Sequence, residues 1–295
     1  GFLVLRNPKR YMKQTSFLRM LNYIVVNSLS EYFMIETSKL TLTSPRINSD
    51  NDVYISLFGE LKIIGSKGIL TEEELKSPKI ARVLVYLLLT KKNGVSPREM
   101  ADAIWPDEDI DSVTKNFKGL IYRLQQAFSL ISDSRLVIST PNGYKLNCKL
   151  NITTDYELFQ MKRTNALNAT TAEQKISLLE KAYDLYNGSF FRSAAGEHWI
   201  MPTAVDYYHK YVSLAGELLK TLYEEMHYGC VHNYATRALQ HAPHAEDLYF
   251  WMIRSLMRVG HSEVARGELR MAQTKLLDEE YSALVDRLKE VGDMP

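Results

Sequence analysis

The stretch from Ser96 to Leu146 constrains this chain more than any other, because four elements of definite type follow one another with short connections. Ser96-Pro97-Arg98-Glu99 opens a short helix, REMADAIW: a capping hydroxyl, a proline at the first helical position, and Glu99 where a capping box needs it. The acidic turn WPDEDID ends that helix before Pro106. DSVTKNFKGLIYRLQQAF (111–128) then reads as a long helix with two faces. Val113, Phe117, Leu120, Leu124 and Phe128 share the apolar face, and Thr114, Lys115, Lys118, Tyr122 and Gln125 share the polar one. In RLVISTPNGYKLN, Asn142-Gly143 reads as a two-residue hairpin turn, flanked by Leu136, Ile138, Tyr144 and Leu146 at strand spacing. A third helix, KIARVLVYLLLTKKNG, precedes all of this; Ser77-Pro78 starts it and Gly94 ends it. Three helices and a hairpin in this order predict a winged helix.

That fold gives the polar face of 111–128 a use. The second helix of a helix-turn-helix enters the major groove, so it needs donors and cations opposite a face that packs on the core. Lys115 and Lys118 suit phosphates or guanine edges, and Thr114, Tyr122 and Gln125 suit bases or the setting of register. Taken alone, the same helix would be an ordinary solvated surface helix. Asn142 at the hairpin tip, with Lys145 just after it, is placed to reach an adjacent groove or backbone. Ser96 and Arg98 sit at a helix start, where free amides and a cation can hold a phosphate, although capping explains Ser96 as well. Asp107, Glu108 and Asp109 would be repelled by phosphates, so their loop is expected to face a protein such as a polymerase subunit or else solvent, with Asp111 as helix cap.

The rest of the chain narrows the reading by exclusion. Lys+Arg 36 against Asp+Glu 35 leaves a formal charge of +1, so nucleic-acid affinity has to come from local placement of cations. Cys148 and Cys230 are far apart and form no CxxC, which suits a reducing, cytoplasmic setting. No apolar run reaches the length of a membrane span. There is no P-loop, GxGxxG after a strand, HExxH or GxSxG, so an enzyme is not expected, nor a cofactor. The pairs His227 with His232 and His241 with His244 lack the matching cysteines or carboxylates of a metal site, and Glu197-His198-Trp199 has no nucleophile beside it.

Three segments follow. Residues 1–50 predict a helix around SFLRMLNYIVVNSL and a strand pair around YFMIETSKLTLT; they read as the tail of an upstream region, with FLVL-RNPKR resembling the end of a membrane span and its positive flank. Residues 53–150 are the winged helix, beginning with short strands in VYISLFGELKIIG. Residues 151–295 are nearly continuous helix with tight corners. There Ala235, Leu239 and Ala242 recur as Ala265, Leu269 and Ala272 at a constant offset, which points to a tetratricopeptide-like solenoid. The aromatics Tyr207, Tyr208, Tyr211, Tyr249, Phe250 and Trp251 are expected to pack between its hairpins rather than line a ligand groove. The fold class expected is mostly α with small antiparallel β elements, a winged helix-turn-helix followed by an all-α repeat domain.

These residues carry a family resemblance. FGELKI, KIARVLVYLLLTKKNGVSPREMADAIWP, VTKNFKGLIYRLQQAF and VISTPNGYKLN resemble an OmpR-type winged-helix domain. DYELFQ, LLEKAYDLYNGSFF, EHW and AEDLYFWMIRSLMRVGHSEVARGEL are similar to the bacterial transcriptional activator domain. That order is the order of the Streptomyces antibiotic regulatory protein (SARP) activators, and it covers about residues 53–291. The resemblance implies a regulator that binds promoter repeats in double-stranded DNA, acts as a homodimer and recruits RNA polymerase, with the repeat domain open to a partner protein. It places Lys115, Lys118, Gly119 and Tyr122 on the recognition helix, Arg123 beside them, Asn142 at the wing tip, and the acidic loop where OmpR-type proteins engage polymerase. Many relatives have arginines where this chain has Gln125-Gln126, which implies a weaker hold on phosphate. A rival reading keeps the fold without DNA binding, as a scaffold whose repeats hold a partner.

Overall fold

Val53, Tyr54 and Ile55 are all buried, and a strand with three consecutive buried residues must be covered on both sides. This is strand β1 (Asp52–Ser56), which pairs antiparallel with β2 (Lys62–Gly65), itself paired with β3 (Gly68–Thr71). The computed structural model describes residues 47–295, which pack as one unit. The helix and strand pair expected within residues 1–46 lie outside the described residues.

Three helices follow: α1 (Pro78–Thr90), α2 (Pro97–Ile104) and α3 (Ile110–Phe128). Helix α1 stops short of Gly94, because Lys91 takes a left-handed conformation and its amide closes on Leu87 O. Ser77 occupies its N-cap position without a side-chain bond to the helix. Ser96 does cap α2, accepting from Glu99 N at 3.1 Å, but the Glu99 carboxylate turns away to Lys92, so only half of the expected box forms. The acidic loop ends in Asp109, which caps α3 in place of Asp111 by accepting from the Asp111 amide at 3.3 Å.

The wing is a hairpin of β4 (Val137–Thr140) and β5 (Gly143–Leu146). Its turn is Pro141-Asn142, one residue before the expected pair. Proline presets φ at the first central position of a turn, while Gly143 has already entered the strand and pairs with Thr140. Gly143 has φ 126°, and a Cβ there would lie 2.1 Å from Val95 O. Val95 and Tyr144 exchange backbone hydrogen bonds of 2.8 and 2.9 Å, so the wing is fastened to the residue that precedes α2. Gly143→Ala is expected to lower unfolding free energy by about 2–4 kcal/mol, a strained backbone added to a steric overlap; urea denaturation measures it.

A strand completes the first sheet from the other end of the fold. β6 (Asn151–Thr154) pairs parallel with β1, giving the order β3-β2-β1-β6 and adding one parallel pair to the expected antiparallel ones. It leads directly into α4 (Asp155–Leu167), α5 (Ala172–Tyr183), α6 (Met201–Glu224), α7 (Tyr228–His241), α8 (Glu246–Arg258), α9 (Ser262–Lys275) and α10 (Asp278–Glu290). Ala235, Ala242, Ala265 and Ala272 are fully buried, as close helix packing requires. Helices α6 and α8 close alike: His227 N reaches Leu222 O and His261 N reaches Leu256 O, with Met226 and Gly260 at positive φ. The tetratricopeptide period of about 34 residues separates those two corners. Tyr211, Tyr249 and Phe250 are buried core, and Tyr207, Tyr208 and Trp251 pack against it. No helix among the described residues is long and apolar enough to cross a membrane.

Candidate nucleic-acid interface

Helix α3 buries Val113, Phe117, Leu120, Leu124 and Phe128, the whole apolar face read from its spacing. The opposite face is therefore fixed outward. Lys115 and Lys118 are exposed, and neither has an ion-pair partner among the described residues. Lys79, Lys91 and Lys92, by contrast, are paired with Glu108, Glu157 and Glu99. Tyr122 is 63% exposed, high for an aromatic side chain on a well-packed helix. Arg123 is exposed and folds back on its own helix, Nε to Gly119 O at 3.3 Å.

Gly119 sits in the middle of this face, and a Cβ there would meet nothing within 4 Å. A glycine inside a helix costs about 0.5–1 kcal/mol relative to alanine. No internal contact of the described residues explains that cost, and a bare backbone leaves room for a close external surface. Thr114 behaves differently from its neighbours: it is half-buried, and its hydroxyl is enclosed without a hydrogen-bond partner among the described residues. Gln125 is engaged internally. Its Oε1 accepts from Leu136 N at 2.9 Å and its Nε2 donates to Ser134 O at 3.3 Å, which clamps the chain between α3 and β4. The glutamine that looked like a weakened phosphate contact is thus a support for the wing; Gln126 beside it is exposed.

Around α3, Asn142 is exposed at the wing tip and Lys145 is half-buried on β5. Arg98 is exposed on α2, and Ser96 is occupied with its cap. In the acidic loop Glu108 pairs with Lys79, which also lies 5.1 Å above the Trp105 ring, and Asp107 stays exposed beside the capping Asp109. Among the described residues no group of histidines, cysteines and carboxylates could hold a metal ion.

Two features that hold this surface in place were not read from the sequence. Asp155, 1% exposed, lies where β6 becomes α4. Its Oδ2 accepts from Ser56 Oγ, Leu57 N and Phe58 N, and its Oδ1 from Tyr156 N, all at 2.8 Å. Burial pushes this carboxyl up to about 6, against the pull of those four bonds. Glu197 is the second. It accepts from Arg82 Nε at 2.8 and 3.0 Å and from the Trp199 indole at 2.8 Å, so EHW ties the helical half to α1. Burial alone would raise the Glu197 carboxyl, but the bonds from Arg82 and Trp199 outweigh it and hold it below its ordinary value. Phe58 adds an aromatic cluster with Phe159, Tyr186, Phe190 and Tyr207, centroids 4.9–6.0 Å apart. The signal for Asp155 was present as Thr154-x-x-Glu157, a capping-box spacing; Thr154 does cap α4.

Comparison with known proteins agrees with this architecture. Residues 154–290 match the bacterial transcriptional activator domain (BTAD). No curated protein gives a significant match. Among solved structures, Mycobacterium tuberculosis EmbR in complex with a low-affinity phosphopeptide is similar in fold, with TM-score 0.63 at 18% identity. The match covers 81% of this chain and 65% of that one, so the chain spans just under two thirds of the length of EmbR. Residues 154–290 thus match a transcriptional activator domain, and a winged helix precedes them in the chain.

Proposed function

We propose that the chain binds promoter DNA in a sequence-specific manner through α3 and the wing, and that it activates transcription by bringing RNA polymerase to the site. The observation that carries this reading is the face formed by Lys115, Lys118, Gly119 and Tyr122: cations without partners among the described residues, an exposed ring and a bare stretch of backbone on one side of a helix whose other side is core. Arg98, Arg123, Asn142 and Lys145 flank it, and Ser96 contributes through the start of α2. Thr114 takes part by shaping the helix surface, since its hydroxyl is enclosed. Asp107, with Glu108 and Asp109, is the side offered to polymerase, where negative charge keeps the loop off DNA. Two copies on repeated half-sites, and a partner on the helical repeats, complete the proposal.

Gly119→Ala tests the reading, because the two expected effects have opposite signs. The variant should gain about 0.5–1 kcal/mol of stability from helix propensity. If the bare backbone is there for the duplex, the added methyl should weaken binding to a promoter fragment several-fold. Melting and fluorescence anisotropy measure the two effects, and unchanged affinity in the stabilised variant counts against a close approach at this position.

A further inference from the structure

Among the described residues Tyr122 is the only Phe, Tyr or Trp whose side chain is exposed; all the others are buried or half-buried. Within those residues no second ring, cation or hydrogen-bond partner meets it. Its direction follows from helix geometry. Tyr122 comes nine residues after the core residue Val113, and nine residues at about 100° each make two and a half turns, so it lies opposite the buried face. Side chains on a helix lean toward its N-terminus, which sets the ring over the turn that holds Gly119. There the backbone carries no Cβ, and nothing lies within 4 Å of the place for one. Arg123 has turned back to Gly119 O, and Gln126, one turn beyond Tyr122, is exposed and uncharged.

A helix seated in a major groove points the centre of its outward face at the base edges and its flanks toward the two backbones. On that floor the one apolar group is the 5-methyl of thymine. A ring with two apolar faces, standing over bare backbone, matches a methyl better than a phosphate. We infer that Tyr122 is a specificity-determining residue that selects thymine: its ring packs on the 5-methyl, and the gap at Gly119 lets the base edge come close. The inference rests on α3 being the duplex-binding helix. The tyrosine hydroxyl is the one part of the side chain suited to a phosphate, and the test separates it from the ring.

The full chain selects its own site from a pool of random-sequence duplexes. Each thymine of the selected duplex is then replaced singly by deoxyuridine, which lacks only the 5-methyl, and fluorescence anisotropy gives the affinities. Wild type should lose about three- to fourfold at one thymine per bound copy, the value of one buried methyl-sized group. Tyr122→Phe should show the same loss, because the ring remains. Tyr122→Ala should bind the thymine duplex more weakly and lose nothing further with deoxyuridine. The side chain is exposed, so both variants should keep the fold, which melting checks. The inference is overturned if no thymine methyl of the selected site matters to wild type, or if Tyr122→Ala retains the deoxyuridine loss. It is overturned too if Tyr122→Phe binds as weakly as Tyr122→Ala, the mark of a hydroxyl on phosphate. All three results leave duplex binding by α3 intact, whereas a pool that yields no enriched sequence overturns that reading and this inference with it.

Discussion

Replacing Lys115 and Lys118 together by glutamate is expected to abolish duplex binding while leaving the melting temperature essentially unchanged. Both ammonium groups are exposed and have no ion-pair partner among the described residues, and substitutions at such surface positions typically change stability by no more than about 0.5 kcal/mol. Their effect on DNA is different in kind. Each phosphate contact releases about 0.9 of a counterion, so each one lost weakens binding about eightfold at 0.1 M salt, and reversing the charge adds repulsion. Two contacts therefore predict a loss of at least about 50-fold. Matched reversal of Lys79 and Lys91, which are already paired with Glu108 and Glu157, should cost far less affinity. Anisotropy with a labelled promoter fragment separates the two pairs; equal losses would show a general charge effect rather than a site.

The second effect, on stability, is expected at Asp155. Its carboxylate gathers three donors from the end of β1 and one from α4, and these link the first sheet to the activator domain. Asp155→Asn cannot reproduce this. An amide oxygen turned toward Ser56, Leu57 and Phe58 leaves the NH2 facing the Tyr156 N–H; turned the other way, it leaves three donors facing an NH2. Each buried donor left without an acceptor costs about 1–3 kcal/mol. The first orientation, with one donor facing an NH2, is the cheaper, so a loss of about 1–3 kcal/mol follows, a sizeable share of the roughly 5–15 kcal/mol that holds a domain folded. Chemical denaturation of the variant at neutral pH measures it, and a loss below about 1 kcal/mol would contradict the role given to this carboxylate.

Much of the fold was legible because it rests on local period and local punctuation. The five apolar positions of α3 repeat at helical spacing, and all five are core. Ser96 and Pro97 marked the start of α2, and the alanine pattern marked α7 and α9 as equivalent. What the sequence hid depends on contacts distant along the chain. The wing turn moved to Pro141-Asn142 because Gly143 is needed against Val95, a neighbour that no local pattern reveals. Gln125 looked free because its acceptor and donor lie beyond the end of its helix, at Ser134 and Leu136. Asp155 was not singled out in the sequence, since the groups it binds lie nearly a hundred residues upstream. Glu197-His198-Trp199 was noticed as a constellation, but only the fold supplied Arg82 as its partner. On the candidate interface, periodicity placed Lys115, Lys118 and Tyr122 on the outside, while the enclosed hydroxyl of Thr114 depends on packing that spacing does not show.

The central claim, that α3 grips a duplex through these cations, is tested most directly by the salt dependence of promoter binding for the wild-type chain and for Lys118→Ala. Wild type should bind tightly at low salt, with affinity falling steeply as salt rises. The variant should bind more weakly, with a log–log slope shallower by about 0.9, one phosphate contact fewer. No binding at low salt by folded protein, or a slope unchanged by Lys118→Ala, would contradict the account and favour a scaffold with a winged helix that does not engage DNA.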